Sequence, residues 1–93
     1  MNLEIVSPEA KLYSGPVTSV TVPGVDGEFQ MLNNHAAIVS ILTKGDIKIA
    51  ASNFAATKEN ASKFFVGPDG KQHLSILSGT LEMKDNKIII LVD

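Results

Sequence analysis

The sequence predicts an all-β domain, an antiparallel β-sandwich of about ten strands. Three observations lead there. Apolar residues recur along most of the chain with the period of two that strands show. β-branched residues concentrate in short runs, where a pleated, half-buried surface suits them. Turn residues break these runs at a spacing of roughly eight to twelve residues. At 93 residues the chain has room for one core and one domain, spanning 1–93.

Leu3 and Ile5 alternate with Asn2, Glu4 and Val6 before Ser7-Pro8-Glu9 turns the chain. Leu12 to Pro16 sets an aromatic, Tyr13, beside a turn. Val17 to Val22 is rich in β-branched residues, with Val20 and Val22 on one face; Pro23-Gly24 and Asp26-Gly27 then mark turns. Glu28 to Leu32 is a short strand with Phe29 and Met31 on one face, and Ala36 to Leu42 follows after Asn33-Asn34. Lys44-Gly45-Asp46 separates it from a return strand through Ile47 and Ile49. Residues 51–62 lack a strand period and read as a loop or long hairpin insertion; Phe54, Ala55 and Lys58 could make one helical turn, too short to stand alone. Lys63 to Val66 and Gln72 to Leu77 flank Gly67-Pro68-Asp69-Gly70, where proline presets φ and glycine tolerates a positive one. Thr80 to Met83 and Lys87 to Val92 flank Lys84-Asp85-Asn86. The alternation predicts one dry and one wet face per sheet. The last run, Ile88 to Val92, is apolar on both faces: either it lies mid-sheet or its outer face meets a partner.

Composition excludes several functions. The net charge is −2, and the eight cations are scattered lysines with no arginine. A nucleic-acid surface needs concentrated positive charge, so none is expected. Without cysteine there is no disulfide, thiol chemistry or Cys-ligated zinc. The N-terminus lacks the basic start and apolar run of a signal peptide. No apolar stretch reaches the length of a membrane span, so membrane association would come through a partner, without direct insertion. Charged residues are 19%, below the usual quarter, which fits a surface partly covered in an assembly.

Glu28 and His35 are the candidate acid–base pair, and Ser40, Ser75 and Ser78 the candidate nucleophiles. Catalysis would also require a cavity, an orienting group and oxyanion donors or a metal, and no nucleophile elbow surrounds the serines. No catalytic residue is assigned. His35 and His73 lack a second ligand at metal spacing and read as two partly exposed polar side chains. The pairs Gly24/Gly27 and Gly67/Gly70 open no helix and bind no phosphate. No metal or cofactor is expected. What remains is contact surface: Phe29, Met31 and Leu32 beside Glu28 and His35, and Tyr13 beside its turn, each of which could equally fill the ends of the core.

The order of motifs carries a family resemblance. Ser14-Gly15 before the Val-x-x-Val-x-Val strand, Gly27-Glu28, His35-Ala36 and Leu77-Ser78-Gly79 stand as in the epsilon subunits of rotary ATP synthases. The chain resembles the N-terminal β-sandwich of that family from about residue 2 to 93, apart from the segment near 50–73. The resemblance implies a ten-stranded sandwich in the central stalk, bound to the gamma subunit and to the ring of c subunits, transmitting torque and doing no chemistry. It implies a peripheral position at the cytoplasmic face of the energy-transducing plasma membrane. Carried over by position, Glu28, Met31, Leu32 and His35 face the c ring, and Tyr13, Ile38 and Leu42 lie near gamma. The sequence departs from the family at Asn33-Asn34, where Pro-Gly is usual, at Ala37, where Pro is usual, and in the longer 50–73 hairpin. It also stops at Asp93, before the helical hairpin that inhibits ATP hydrolysis and, in some members, binds ATP; the expectation is that this chain lacks both properties. Two other readings stand beside this one: a free-standing sandwich that binds a peptide or carbohydrate, and a small β-barrel hydrolase using Glu28 and His35.

Overall fold

The structure, a computed structural model, describes residues 1–54, 56 and 60–93. Its strands are β1 (Asn2–Val6), β2 (Lys11–Pro16), β3 (Ser19–Gly24), β4 (Gly27–Leu32), β5 (Ile38–Leu42), β6 (Gly45–Ala50), β7 (Phe64–Val66), β8 (Gln72–Ile76), β9 (Gly79–Lys84) and β10 (Lys87–Val92), with one 3-10 turn at Ala61–Lys63. The all-β expectation holds. Two predicted turns are shorter than expected: Gly24 ends β3, and Gly45-Asp46 already belongs to β6. Of the possible helical turn, Ala55 and Lys58 lie outside the described residues. Phe54 is described, and stacks on Tyr13 with ring centroids 4.7 Å apart, edge-on to Phe64 at 5.0 Å.

One strand, β2, escaped the periodicity. Leu12 and Tyr13 are adjacent and both buried, which a regular strand does not allow. The register explains it. Ile5 pairs with Tyr13 but Val6 pairs with Lys11, so Leu12 is the extra residue of a bulge.

Hydrogen bonds link the strands in the order β2-β1-β10-β9-β5-β3-β6-β8-β7, with β4 on β3. The break between layers lies at β3. β4 covers one edge of it from Ser19 to Gly24. The other edge is divided: Ser19 to Thr21 pair with β6, and Gly24 pairs with Leu42 of β5. The sheet therefore folds into two five-strand layers, β2-β1-β10-β9-β5 (layer one) and β4-β3-β6-β8-β7 (layer two). The expected antiparallel pairing has one exception, since β1 and β10 run parallel. They come from opposite ends of the chain, so no tight turn constrains their direction.

Between the layers the inward positions are closed. Ile5, Val20, Val22, Met31, Ile47, Ile88 and Ile90 are all fully buried. Each such side chain stabilises the fold by about 1.5–3 kcal/mol relative to exposure. In β3 the dry-and-wet expectation fails, because all six residues are buried. Its outward residues, Ser19, Thr21 and Pro23, are flanked by neighbours on both edges, and Glu28 of β4 reaches Lys48 of β6 at 2.9 Å from opposite sides of it. β10 resolves the choice left by its double apolar character. It lies mid-layer between β1 and β9, with Ile88, Ile90 and Val92 inward, while Leu91 on the outer face is exposed.

The Leu77-Ser78-Gly79 motif has a packing cause. A Cβ on Gly79 would stand 2.6 Å from the carbonyl oxygen of Leu91, and that backbone cannot yield without disturbing the β9–β10 ladder. Gly79→Ala is expected to destabilise the domain by about 1–3 kcal/mol. Thermal melting tests it, because each kcal/mol shifts the midpoint of a domain this size by roughly 4–8 °C; an unchanged midpoint would contradict the close approach.

Candidate partner-binding surfaces

The outer face of layer one carries an apolar patch that the core does not use. Register places side chains in two rows across it. Val39, Glu82, Ile89 and Glu4 form one row, and Ile41, Thr80, Leu91 and Val6 the next. Val39 is 77% exposed, Ile41 62% and Leu91 53%. Val25, in the β3–β4 turn, extends the patch; its amide donates to the Ile41 carbonyl at 3.2 Å, and its side chain is exposed. β-branched residues suit a strand, but a run of them facing water gains nothing from the solvent.

The residues expected to meet gamma, Tyr13, Ile38 and Leu42, are not part of this patch. Leu42 is buried and Ile38 packs against the core, whereas Val39 and Ile41 point outward. Neighbours on one strand point to opposite faces, so Ile38 and Leu42 turn inward where Val39 and Ile41 turn outward. Tyr13 is also interior. Its hydroxyl donates to the Pro16 carbonyl at 3.1 Å, its ring stacks on Phe54, and burial pushes its phenol pKa up.

β4 forms a second surface. Among the described residues it has β3 on one side and no strand on the other. Met31, expected at the c ring, is fully buried, while Glu28 and Leu32 face outward. The connecting loop 33–37 is exposed throughout and includes His35. The His35 amide donates to the Leu32 carbonyl at 3.2 Å, and ring Nδ1 lies 2.8 Å from the Ala36 carbonyl, which puts a proton on Nδ1. Glu28 and His35 do not bond to one another. Glu28 is held by Lys48, and this hydrogen bond raises the Lys48 pKa. Hollows of about 140 to 340 Å³ open on the surface of the described residues, and neither Glu28 nor His35 lines these.

The third cluster, on the outer face of layer two, went unrecognised in the sequence. His73 is buried rather than partly exposed. Its Nδ1 lies 3.1 Å from Asp46 Oδ2 and its Nε2 lies 2.9 Å from Asp69 Oδ1. Only an imidazolium donates from both nitrogens. The hydrogen bonds to Asp69 and Asp46 raise the His73 pKa, and the His73 bond lowers both carboxylates. Ser75 donates to Asp46 at 2.8 Å, and Phe65 leans on the ring with centroids 5.2 Å apart. The β7–β8 turn closes over it at Gly67, where a Cβ would fall 2.2 Å from Nε2. The sequence signal was the spacing of Asp69 and His73 across a Gly-Pro-Asp-Gly turn; Asp46, 27 residues away, could not be inferred.

Comparison with known proteins agrees with this architecture. An ATP synthase epsilon chain from Helicobacter pylori (strain ATCC 700392 / 26695) is 31% identical over 93 residues, covering 100% of this chain and 63% of that relative. One from Campylobacter curvus (strain 525.92) is 34% identical over 95 residues, covering 100% of this chain and 60% of the relative. The chain thus spans about three-fifths of the length of these curated relatives. Among solved structures, the central stalk and c ring of the Tetrahymena thermophila mitochondrial ATP synthase contains a chain of the same fold, with a TM-score of 0.73 at 18% identity, covering 98% of this chain and 61% of that one. Residues 1–66 match the ATP synthase delta/epsilon chain beta-sandwich domain, and it is to this family that the chain belongs.

Proposed function

We propose that this chain serves as a central-stalk subunit of a rotary, proton-translocating ATP synthase. In this reading it binds the gamma subunit and the c ring, and helps couple ion flow to ATP synthesis without chemistry of its own. It would sit peripherally at the cytoplasmic face of the energy-transducing plasma membrane. Among the described residues no helix is long and apolar enough to cross a membrane. The observation that carries the reading is the apolar outer face of layer one, with Val39, Ile41 and Leu91 open to solvent on a fold shared with a central-stalk chain. That face is assigned to gamma. The β4 edge and the loop after it, with Glu28, Leu32 and His35, are assigned to the c ring.

Titrating the chain onto purified gamma subunit and onto detergent-solubilised c ring tests both assignments. Saturable binding to each is expected, and failure to bind gamma would overturn the reading. Charge at Glu28 separates the second surface from the first. Its carboxylate is shared with Lys48, a partly exposed surface pair that adds little stability. Glu28→Lys is expected to weaken ring binding by about tenfold, or 1.4 kcal/mol, while gamma binding and the melting temperature stay put. Lys48→Met, which frees the carboxylate, should strengthen ring binding. Equal affinity in all three proteins would remove Glu28 from the interface.

A further inference from the structure

The 33–37 loop contains no proline and is exposed along its length, yet it is not left to itself. Asn86, at the tip of the β9–β10 hairpin, grips it with both ends of one carboxamide. The Asn34 amide donates to Asn86 Oδ1 at 2.8 Å, and Asn86 Nδ2 donates to Asn33 Oδ1 at 3.1 Å. The same Asn33 oxygen accepts from the Met1 amine at 2.9 Å, and the Asn2 amide donates to the Asn86 carbonyl at 3.1 Å. Backbone geometry fits the grip. Asp85 and Asn86 have φ of 52° and 64°, the two-residue hairpin turn in which Asn is at home, and Asn34 has φ of 62°.

We infer that Asn86 is a positioning residue for the docking loop: its carboxamide, clamped on Asn33 and Asn34, fixes the direction in which His35 is presented to the c ring. This rests on the assignment of that loop to the ring. Hydrogen bonds in water add little to the fold, so the clamp has a different consequence. A free loop loses backbone freedom on docking, and a loop held beforehand has less to lose. The clamp also joins a loop that leaves layer two to a hairpin of layer one, so the loop moves with the layer assigned to gamma.

Asn86→Gly tests the effect, because glycine keeps the positive φ of the turn while removing the side chain that carries the carboxamide. The full chain carrying it is compared with the parent by amide exchange at Asn34 and His35, and by titration against gamma and against the c ring. Exchange at Asn34 is expected to quicken about tenfold, ring affinity to fall about three- to tenfold, and gamma affinity to hold. Asn33→Ala, which leaves the hairpin untouched, should act in the same direction with a smaller effect. Unchanged exchange at Asn34 in both variants overturns the clamp. Faster exchange with undiminished ring affinity overturns its role in docking. Should the parent chain itself not bind the ring, the surface assignment falls, and the role in docking with it.

Discussion

The double substitution Val39→Glu, Ile41→Glu is expected to abolish binding to gamma, lowering affinity at least a hundredfold, while the domain remains folded. Both side chains already stand in water, at 77% and 62% exposure, so replacing them costs the fold little beyond strand preference, which spans about 1 kcal/mol. At a partner the balance reverses. Covering each apolar side chain is worth up to about 1.5–3 kcal/mol, and burying a carboxylate without a partner is unfavourable by more. A hundredfold loss, about 2.7 kcal/mol, is therefore the modest end of the range. The control is parity. Leu42, the next residue along β5, faces the core, and Leu42→Glu should unfold the domain rather than disarm it. If the double variant binds gamma as the parent does, the outer face of layer one is not the contact.

That contrast also marks how far sequence reading reaches. Alternation along β1, β4 and β6 was visible because each strand has a local period of two. The Gly67-Pro68-Asp69-Gly70 and Asp85-Asn86 turns were visible because their chemistry is local. What escaped depended on partners far along the chain. The bulge at Leu12 hides β2 from any periodic test, since its cause is the register with β1. The parallel pairing of β1 with β10 has no sequence signature at all. On β5, Ile38, Val39, Ile41 and Leu42 are all apolar, so hydrophobicity could not tell the inner face from the outer one. Packing of β5 against β9 on one side and β3 at Leu42 decided it. Of the candidate contact residues, Glu28, Leu32 and His35 remain available, whereas Met31, Tyr13 and Leu42 were absorbed by the core.

His73 supplies the second large effect, and it should appear in stability rather than in binding. The groups facing it are Asp46 and Lys48 from β6 and Asp69 and Lys71 from the turn, with Glu28 of β4 paired to Lys48. Its pKa is raised in the folded chain, so its contribution is complete below about pH 6.5, the unfolded value, and is lost as pH rises through the folded one. Asp46 and Asp69 are lowered, so theirs is complete above about pH 3.9 and is lost as pH falls through their folded values. Stability from the cluster is thus greatest between roughly pH 4 and 6.5 and declines on the alkaline side. Above that window a neutral imidazole can donate to only one carboxylate, and the other faces a lone pair. His73→Gln is expected to lower stability at pH 5.5 by about 2–3 kcal/mol, the scale of hydrogen bonds to charged groups, or roughly 10–20 °C in melting temperature. The same variant should flatten the alkaline decline, since glutamine does not titrate. Melting curves of parent and variant from pH 5 to 9 decide the matter: a gap that narrows as pH rises supports a charged His73 bridging two carboxylates, and a gap of constant size means that the ring contributes packing alone.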